Sequence, residues 1–140
     1  MDVSSDLTDD ETIRELLQQS ETIAVIGMKP RGAALAIPKY MERVGYTIVP
    51  VNPKYPEVGG HESVDSVDAI EQRVDIVDIF RRGPAVSEHV DEILAMEPAP
   101  RLVWLQLGIR NDGAAERLAA AGIPVVQDAC LKVEHRRLFG

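Results

Sequence analysis

The sequence has one cysteine and no long hydrophobic run, and each shortage excludes a class of protein. With only Cys130 among 140 residues, no intrachain disulfide can form and no group of thiols is present to hold a structural zinc ion. No apolar run approaches the roughly 20 residues of a membrane-spanning helix. Residues 1–6 are acidic and lack the basic and apolar stretches of a secretory signal. We therefore expect a cytoplasmic protein that does not bind membranes.

Basic residues are in the minority, and this limits the partners. The chain has 15 Lys and Arg against 23 Asp and Glu, which gives a formal net charge of −8. Such a charge repels polyphosphate backbones at long range, so we expect no nucleic-acid partner. A small anionic ligand would need basic residues concentrated at one place, which makes their positions in the chain informative.

Short apolar segments alternate with helical patterns along the whole chain. A capping box at residues 8–11, followed by Ile13, Leu16 and Leu17, predicts a helix over residues 9–19. Continuous apolar runs predict five buried strands, at residues 22–26, 47–51, 74–80, 102–105 and 124–126. We expect further helices at residues 33–44, 84–96, 112–121 and 131–140, with Pro38 near the first turn of its helix.

This order of elements predicts one fold. Strands that are apolar on both sides require a parallel sheet that is covered on both faces. The sequence therefore predicts an α/β protein, Rossmann-like and doubly wound, with a five-stranded, mainly parallel sheet and helices on both faces. Residues 1–21 would supply an N-terminal helix packed on the domain, and residues 22–140 the domain itself.

Basic residues fall in the loops where such a fold binds ligands. Doubly wound sheets bind them outside the carboxyl ends of the strands, where the strand order reverses. The loops at that edge hold six of the 15 basic residues, namely Lys29, Arg31, Lys54, Arg81, Arg82 and Arg110. An anionic ligand would explain this concentration. The alternative is that lysine and arginine simply favour exposed loops.

Gly27 follows the first predicted strand, where the backbone must turn sharply and approach a phosphate beside a helix N-terminus. Residues 27–32 match neither the G-x-G-x-x-G fingerprint nor a P-loop, so Gly27 taken alone could be only a turn glycine. The second strand ends at Asn52-Pro53-Lys54, where an NAD-binding domain usually has an acid. A lysine suits a phosphorylated ribose instead, which favours coenzyme A or NADP over NAD.

Cysteine and histidine carry weaker signals. Cys130 and His135 are five residues apart, a spacing that does not bring two side chains together on a helix. We therefore expect structural roles for them and no catalytic residue. His61 and His89 show no metal-ligand spacing, so we expect surface positions and no metal site.

Two aspartates interrupt the third predicted strand. Asp75 and Asp78 lie within the otherwise apolar residues 74–80. Buried carboxylates need hydrogen-bond or charge partners. Structural hydrogen bonding is favoured here over general acid or base chemistry.

Five segments, taken together and in this order, resemble one family. They read IAVIG at residues 23–27, VNPK at residues 51–54 after Gly45-Tyr46, VDIVDIFR at residues 74–81, VWLQLGIRN at residues 103–111 and DACLKVEH at residues 128–135. The chain from residue 22 to residue 139 resembles the small CoA-binding domain family, whose members are similar to the N-terminal domain of the succinyl-CoA synthetase alpha subunit.

The resemblance implies a Rossmann-like domain that binds coenzyme A. It implies contacts to the pyrophosphate, to the adenosine with its 3′-phosphate, and to the rest of the molecule. The cofactor-binding residues implied, in that order, are Gly27, Met28, Lys29 and Arg31; Asn52, Pro53 and Lys54; and Phe80, Arg81, Arg82, Gln106, Leu107 and Gly108. The synthetase's phosphorylated histidine belongs to a domain that this chain lacks, so no ligase activity carries over.

Three hypotheses about function remain. The leading one is a module that binds coenzyme A or an acyl-CoA without chemistry of its own, as a sensor, a carrier or a subunit. A small NADP-dependent or cysteine-dependent enzyme is the alternative, against which stand the missing glycine fingerprint and substrate domain. The loop after Gly27 is shorter than is usual in the family and has no hydroxyl, which favours a third hypothesis, an interaction module with a vestigial nucleotide pocket. A homodimer or an unknown protein partner stays open.

Overall fold

Five parallel strands form the central sheet of the computed structural model, which describes residues 6–140. The first five residues of the predicted N-terminal segment lie outside the described part. The described residues form these five strands and two further ones. In chain order they are β1 (Thr22–Ile26), β2 (Thr47–Val51), β3 (Glu57–Val58), β4 (His61–Glu62), β5 (Ile76–Ile79), β6 (Leu102–Leu105) and β7 (Val125–Val126). The sheet has the order β2-β1-β5-β6-β7 with parallel neighbours, while β3 and β4 form a separate antiparallel pair.

Helices connect the strands and cover the sheet. They are α1 (Asp10–Gln19), α2 (Ala33–Arg43), α3 (Val90–Leu94), α4 (Asp112–Ala120) and α5 (Leu131–Phe139), with short 3₁₀ segments at Val67–Ala69 and Gly83–His89. The N-cap of α1 is Asp9, which accepts the Thr12 N–H at 2.9 Å and so satisfies one free end group of the helix. Among the described residues, no helix combines the length and the apolar character needed to cross a bilayer.

Two hydrophobic cores lie on opposite faces of the sheet, because successive side chains of a strand point to opposite sides. On β1, Ile23 and Val25 pack with α1, α2 and α5, while Ala24 and Ile26 pack with α3, α4 and the segment Gly83–His89. Every residue of β5 and β6 is buried. The predicted α/β fold, with a parallel five-stranded sheet and helices on both faces, is confirmed.

The N-terminal segment is attached to this sheet in several ways. Ile13 and Leu17 of α1 are buried in the core that α2 and α5 also cover. The Leu7 N–H donates to the Val125 carbonyl at 2.7 Å, beside the outermost strand β7. That residues 1–21 form an appendage of a domain at residues 22–140 stays a prediction.

The chain after β5 differs from the expected helix over residues 84–96. It is a 3₁₀ segment, Gly83–His89, followed by the short helix α3. The side-chain amide of Asn111 donates to the Gly83 carbonyl and to the Ser87 hydroxyl, each at 2.9 Å. This side chain therefore takes up a carbonyl that a regular α-helix would use for its own hydrogen bonds. The pair β3–β4 was not predicted, because two residues per strand are too few for a pattern.

Pro38 lies in the middle of α2, and the prediction that it lies near the first turn is wrong. A proline has no N–H, so it donates no helical hydrogen bond to the carbonyl of Ala34, four residues earlier. That carbonyl accepts the Lys29 N–H at 3.3 Å instead. The loop after β1 is thereby tied to α2.

Asp75 anchors the start of β1. Its carboxylate accepts the N–H groups of Glu21 at 2.8 Å and Thr22 at 3.2 Å, and the Arg73 guanidinium at 2.9 Å. Burial alone would raise the pKa of Asp75, but these donors outweigh it and hold the pKa below its ordinary value. The structural hydrogen bonding expected for this residue is present.

Asp78 lies inside β5, next to Val25 and Trp104 in the register of the sheet. Its Oδ1 accepts the Gln106 amide at 2.6 Å, and its Oδ2 has no hydrogen-bond partner within the described residues. Burial raises the pKa of Asp78 to about 7, although the Gln106 contact favours the charged form. The protein therefore holds a carboxyl in its core that is partly protonated near neutral pH.

Replacing Asp78 with asparagine should stabilise the protein in alkali more than in acid. The pKa of the carboxyl rises from 3.8 to about 7 on folding. Between these values the folded state binds more protons than the unfolded state, so the stability of the parent falls as the pH rises. An amide stays neutral, and its oxygen can still accept from Gln106. We expect the gain in the free energy of unfolding of the variant over the parent to be larger by on the order of 2–4 kcal/mol at about pH 8 than at about pH 4.

Urea denaturation of parent and variant at the two pH values measures this difference. A variant whose stability changes with pH as steeply as that of the parent would show that Asp78 is not the titrating group.

Candidate functional site

The strand order reverses between β1 and β5. From β1 the chain continues into α2 over one face, and from β5 into the segment Gly83–His89 over the opposite face. A crevice therefore opens between the carboxyl ends of these strands, at the position where doubly wound sheets bind ligands. Two adjoining cavities lie in it.

The smaller cavity has a volume of about 280 Å³ and lies over the ends of β1, β2 and β5. Polar and charged residues from five separate stretches of the chain line it, namely Lys29, Asn52, Asp65, Arg81 with Arg82, and His89. These residues are far apart in the sequence, so the fold alone brings them together.

The larger cavity has a volume of about 710 Å³ and adjoins the smaller one. Lys29, Phe80, Arg81 and Arg82 line both cavities. The rest of its wall is largely small or apolar, with Gly32, Ala33, Ala34, Gly83, Gly108 and Ile109. Its volume lies within the range of roughly 300–1,000 Å³ that is usual for small-molecule sites.

Gly27 turns the chain at the end of β1 with a φ of +82°, in the left-handed region. A Cβ at this position would lie 2.5 Å from the carbonyl oxygen of Phe80 and 3.5 Å from Cδ of Arg81. The sequence leads us to expect a glycine here because a phosphate would approach the backbone. The structure adds a second reason, because the neighbouring strand end already fills the space.

The N-terminus of α2 lies at the edge of the crevice. Its N-cap is Gly32, and no side chain caps the helix. Free N–H groups at the start of a helix attract anions. Lys29 and Arg31, both exposed, line the cavities beside it. Backbone dipole and side-chain charge therefore favour an anion at the same place.

Asn52 connects the end of β2 to the loop after β1. Its Nδ2 donates to the Met28 carbonyl and its Oδ1 accepts the Lys54 N–H, both at 3.0 Å. Because both ends of the amide are used within the protein, Asn52 shapes the cavity wall. The Lys54 ammonium lies 5.5 Å from the centroid of the Tyr55 ring.

Arg81 contacts a histidine beside the smaller cavity. Its Nη1 lies 3.0 Å from His89 Nε2, and the other ring nitrogen of His89 is hydrogen-bonded to the Glu92 carboxylate. The side chains of His89 and Glu92 are only 15% and 17% exposed, so this pair is largely shielded from water. Glu88 is more distant, with its Oε1 3.9 Å from Arg81 Nη2.

Most of the predicted cofactor-binding residues meet in the crevice. Those that line at least one cavity are Gly27, Lys29, Arg31, Asn52, Pro53, Phe80, Arg81, Arg82 and Gly108. Met28, Lys54, Gln106 and Leu107 line neither. Met28 and Gln106 are buried, and Gln106 is turned inward because it bonds Asp78 and accepts the Leu131 N–H at 3.3 Å. Lys54 and Leu107 are exposed.

Two polar residues of the cavities were not expected from the sequence. Asp65 reaches the smaller cavity because the preceding Val64 pairs with Val51 of β2, a long-range contact with no local signal. His89 was expected at the surface, and its side chain is largely buried. The available signal was its spacing of three residues from Glu92, which brings two helical side chains together.

The residues considered for nucleophilic chemistry do not meet. The His135 ring packs against Tyr40 and Tyr46 and stacks on Phe139 at 4.8 Å, and burial lowers its pKa. Cys130 is the N-cap residue of α5. Across residues 6–140, no three His, Cys, Asp or Glu side chains come together as metal ligands.

The charge in the crevice is positive. Of the six loop cations, Lys29, Arg31, Arg81 and Arg82 line the cavities. Arg110 instead pairs with Asp6 at 2.8 Å and with Asp112, and these carboxylates raise its pKa. An acidic chain thus presents a cationic crevice at its strand ends.

Comparison with known proteins agrees with this picture. Residues 21–136 match the CoA binding domain family. The uncharacterized Bacillus subtilis (strain 168) protein YneT is 38% identical over 125 residues, which is 88% of this chain and 91% of YneT. The Thermus thermophilus protein cell-free ID.343 is 44% identical with a TM-score of 0.88, over 94% of this chain and 100% of its own. A hypothetical protein from Pyrococcus horikoshii OT3 is 33% identical with a TM-score of 0.89, over 100% of both chains.

A Gly27→Ala variant should lose more stability than a Gly122→Ala variant. The two glycines have similar φ values, +82° and +86°, but a Cβ at Gly122 meets nothing within 4 Å. We expect a loss of about 1 kcal/mol at Gly122 from conformation alone. At Gly27 the clash with the Phe80 carbonyl should add about 2 kcal/mol. Urea denaturation measures both, and equal losses would mean that the Phe80 carbonyl moves aside easily.

Proposed function

The chain belongs to the CoA-binding domain family, and we propose that it binds coenzyme A or an acyl-CoA in the crevice between β1 and β5. The observation that carries this proposal is the gathering of Lys29, Arg31, Arg81 and Arg82 around two joined cavities in a chain of net charge −8. Cations held together at one place repel one another, and a polyanionic ligand would relieve that repulsion.

We assign the phosphates of the ligand to the region around Gly27. The uncapped start of α2 supplies free N–H groups, and Lys29 and Arg31 supply positive charge beside it. Arg81 lines both cavities, so it is suited to contact a pyrophosphate that lies between them.

We assign the two ends of the ligand to different cavities. The smaller cavity, next to Asn52 and Pro53, would take the adenosine, with Lys54 close by for the 3′-phosphate. The larger cavity, with Ala33, Ala34 and Ile109 in its wall, would take the pantetheine arm and a small acyl group. Apolar walls of this kind suit an alkyl chain.

NADP is the second candidate, because Lys54 follows the end of β2 and a lysine there suits a phosphorylated ribose. Asp65 lines the smaller cavity beside the same strand end. An acid near that position holds a free ribose hydroxyl in NAD sites, so Asp65 disfavours the 2′-phosphate of NADP. The ribose of coenzyme A has a free 2′-hydroxyl, so Asp65 is compatible with coenzyme A.

We propose a binding role without chemistry, as a sensor, a carrier or a subunit. His89 is the histidine in the crevice, and both of its ring nitrogens are engaged, one by Arg81 and one by Glu92. It is therefore poorly placed to act as a general base. We also propose a cytoplasmic location, which fits a single unpaired cysteine.

Coenzyme A should raise the thermal unfolding midpoint more than dephospho-CoA, and NAD should have little effect. Binding to the folded state stabilises it by mass action. If Lys54 contacts the 3′-phosphate, Lys54→Ala should weaken the binding of coenzyme A by about 1–3 kcal/mol and leave the binding of dephospho-CoA unchanged. Lys132→Ala is the matched control, because Lys132 also lies over a tyrosine ring, that of Tyr40.

Each other outcome of that screen has a meaning. A larger shift with NADP than with coenzyme A would favour the second candidate. No shift with coenzyme A, dephospho-CoA, NAD or NADP would favour the interaction module with a vestigial pocket. Equal shifts with coenzyme A and dephospho-CoA would show that Lys54 does not contact the 3′-phosphate.

Arg81→Ala should weaken coenzyme A binding by about 1–3 kcal/mol and reduce its sensitivity to salt. Arg117→Ala is the control, since Arg117 forms an exposed ion pair with Asp91 outside the cavities. Arg73 is unsuitable as a control, because it pairs with the buried Asp75 and its loss would change stability. Titration calorimetry at two salt concentrations measures both variants. If Arg117→Ala weakened binding as much as Arg81→Ala, the site would lie elsewhere.

A further inference from the structure

We infer that the Glu92–His89 pair positions Arg81 for an anion in the crevice and makes anion binding depend on pH. The inference rests on the proposed binding function and adds its regulation. His89 and Glu92 are positioning residues in this scheme. Arg81 is the group that contacts the ligand.

The hydrogen bonds fix the form of His89. A guanidinium has only donors, so the bond between Arg81 Nη1 and His89 Nε2, 3.0 Å long, requires an unprotonated Nε2 that accepts. The proton of the neutral ring must then be on Nδ1, where it is donated to the Glu92 carboxylate. Glu92 thereby selects the tautomer that can hold Arg81.

A neutral acceptor has an advantage over a carboxylate at this place. A carboxylate bonded directly to Arg81 would cancel much of its charge toward a ligand. The imidazole fixes one N–H of the guanidinium and leaves its positive charge and remaining donors for an anion. Glu88 is 3.9 Å away and 67% exposed, so water screens it. The Cδ of Arg81 also lies close to the Gly27 turn, 3.5 Å from the point that a Cβ would occupy there.

Protonation of His89 would break the hydrogen bond between Arg81 and His89. A protonated Nε2 is a donor and cannot accept from Arg81, and the two cations then repel each other. The negative charge of Glu92 on α3 favours the protonated ring, while the positive charge of Arg81 opposes it. Glu88 lies on the Nη2 side of Arg81 and partly offsets the charge of Arg81. Among the other charged residues that line the same cavity, Lys29 and Arg82 oppose the protonated ring and Asp65 favours it. Histidine is the side chain whose charge ordinarily changes between about pH 5 and pH 8.

The experiment compares coenzyme A binding by calorimetry at about pH 8 and about pH 5.5, the range in which a histidine changes charge. The variants are the parent, His89→Gln and His61→Gln. Glutamine can accept from Arg81 but does not titrate in this range. His61 is the matched control, since it also pairs with a glutamate, Glu42, and lies outside both cavities. The phosphates of coenzyme A titrate equally in all three measurements.

We expect the parent and His61→Gln to lose about tenfold more affinity on acidification than His89→Gln does. A Glu92→Gln variant should move the midpoint of the loss to lower pH, because a neutral amide stabilises the imidazolium less than a carboxylate does. Equal pH dependence in the parent and in His89→Gln would overturn the inference. Tighter binding of the parent in acid would also overturn it, since His89 would then contact the ligand directly.

A second measurement separates this inference from the proposed function. Nitrogen NMR of the ligand-free protein should show His89 with its proton on Nδ1 near neutral pH. If coenzyme A fails to bind the parent at any pH, the proposed function is wrong. If coenzyme A binds and the ring carries its proton on Nε2, the positioning role of His89 is wrong.

Discussion

The close approach of the ends of β1 and β5 is the constraint on which the rest of the site depends. At Gly27 the backbone of β1 turns away in a left-handed conformation, and the Phe80 carbonyl occupies the space where a side chain would be. The two strands can therefore stay paired up to their last residues while their connections diverge over opposite faces. The crevice is the gap that this divergence leaves, and the Arg81 side chain lies against the turn that creates it.

The sheet carries two aspartates with opposite electrostatic roles. Asp75 receives several donors at the amino end of β1 and stays charged. Asp78 receives the Gln106 amide in the middle of the sheet, and burial raises its pKa to about 7, so it is partly protonated near neutral pH. Gln106 in turn accepts the Leu131 N–H at the start of α5. These bonds hold Gln106 inside the domain, so its side chain does not line the crevice.

Sequence patterns predicted those parts of the structure that local chemistry determines. Continuous apolar runs gave the bounds of β1, β2 and β6, and the rule for the carboxyl edge of a parallel sheet gathered most of the expected crevice residues. Three of the differences involve contacts between residues that are distant in the sequence. Where a helix was expected after β5, the chain forms a 3₁₀ segment, and its Gly83 carbonyl accepts from Asn111, 28 residues away. The pairing of Val64 with Val51 places Asp65 in the crevice. The hydrogen bond to Asp78 turns Gln106 into the core, away from the crevice where it was expected.

Pro38, in the middle of α2, affects how the loop after β1 is held at the crevice. Proline is usually a defect inside a helix, because it leaves a carbonyl without its donor. Here the Ala34 carbonyl takes the Lys29 N–H, so a helical defect becomes the attachment point of the loop after β1. The loop is consequently preorganised before any ligand arrives, and binding then loses less conformational entropy. A short loop that is already attached to its helix needs less ordering when a ligand arrives, and the carbonyl that Pro38 leaves without a donor makes this attachment possible.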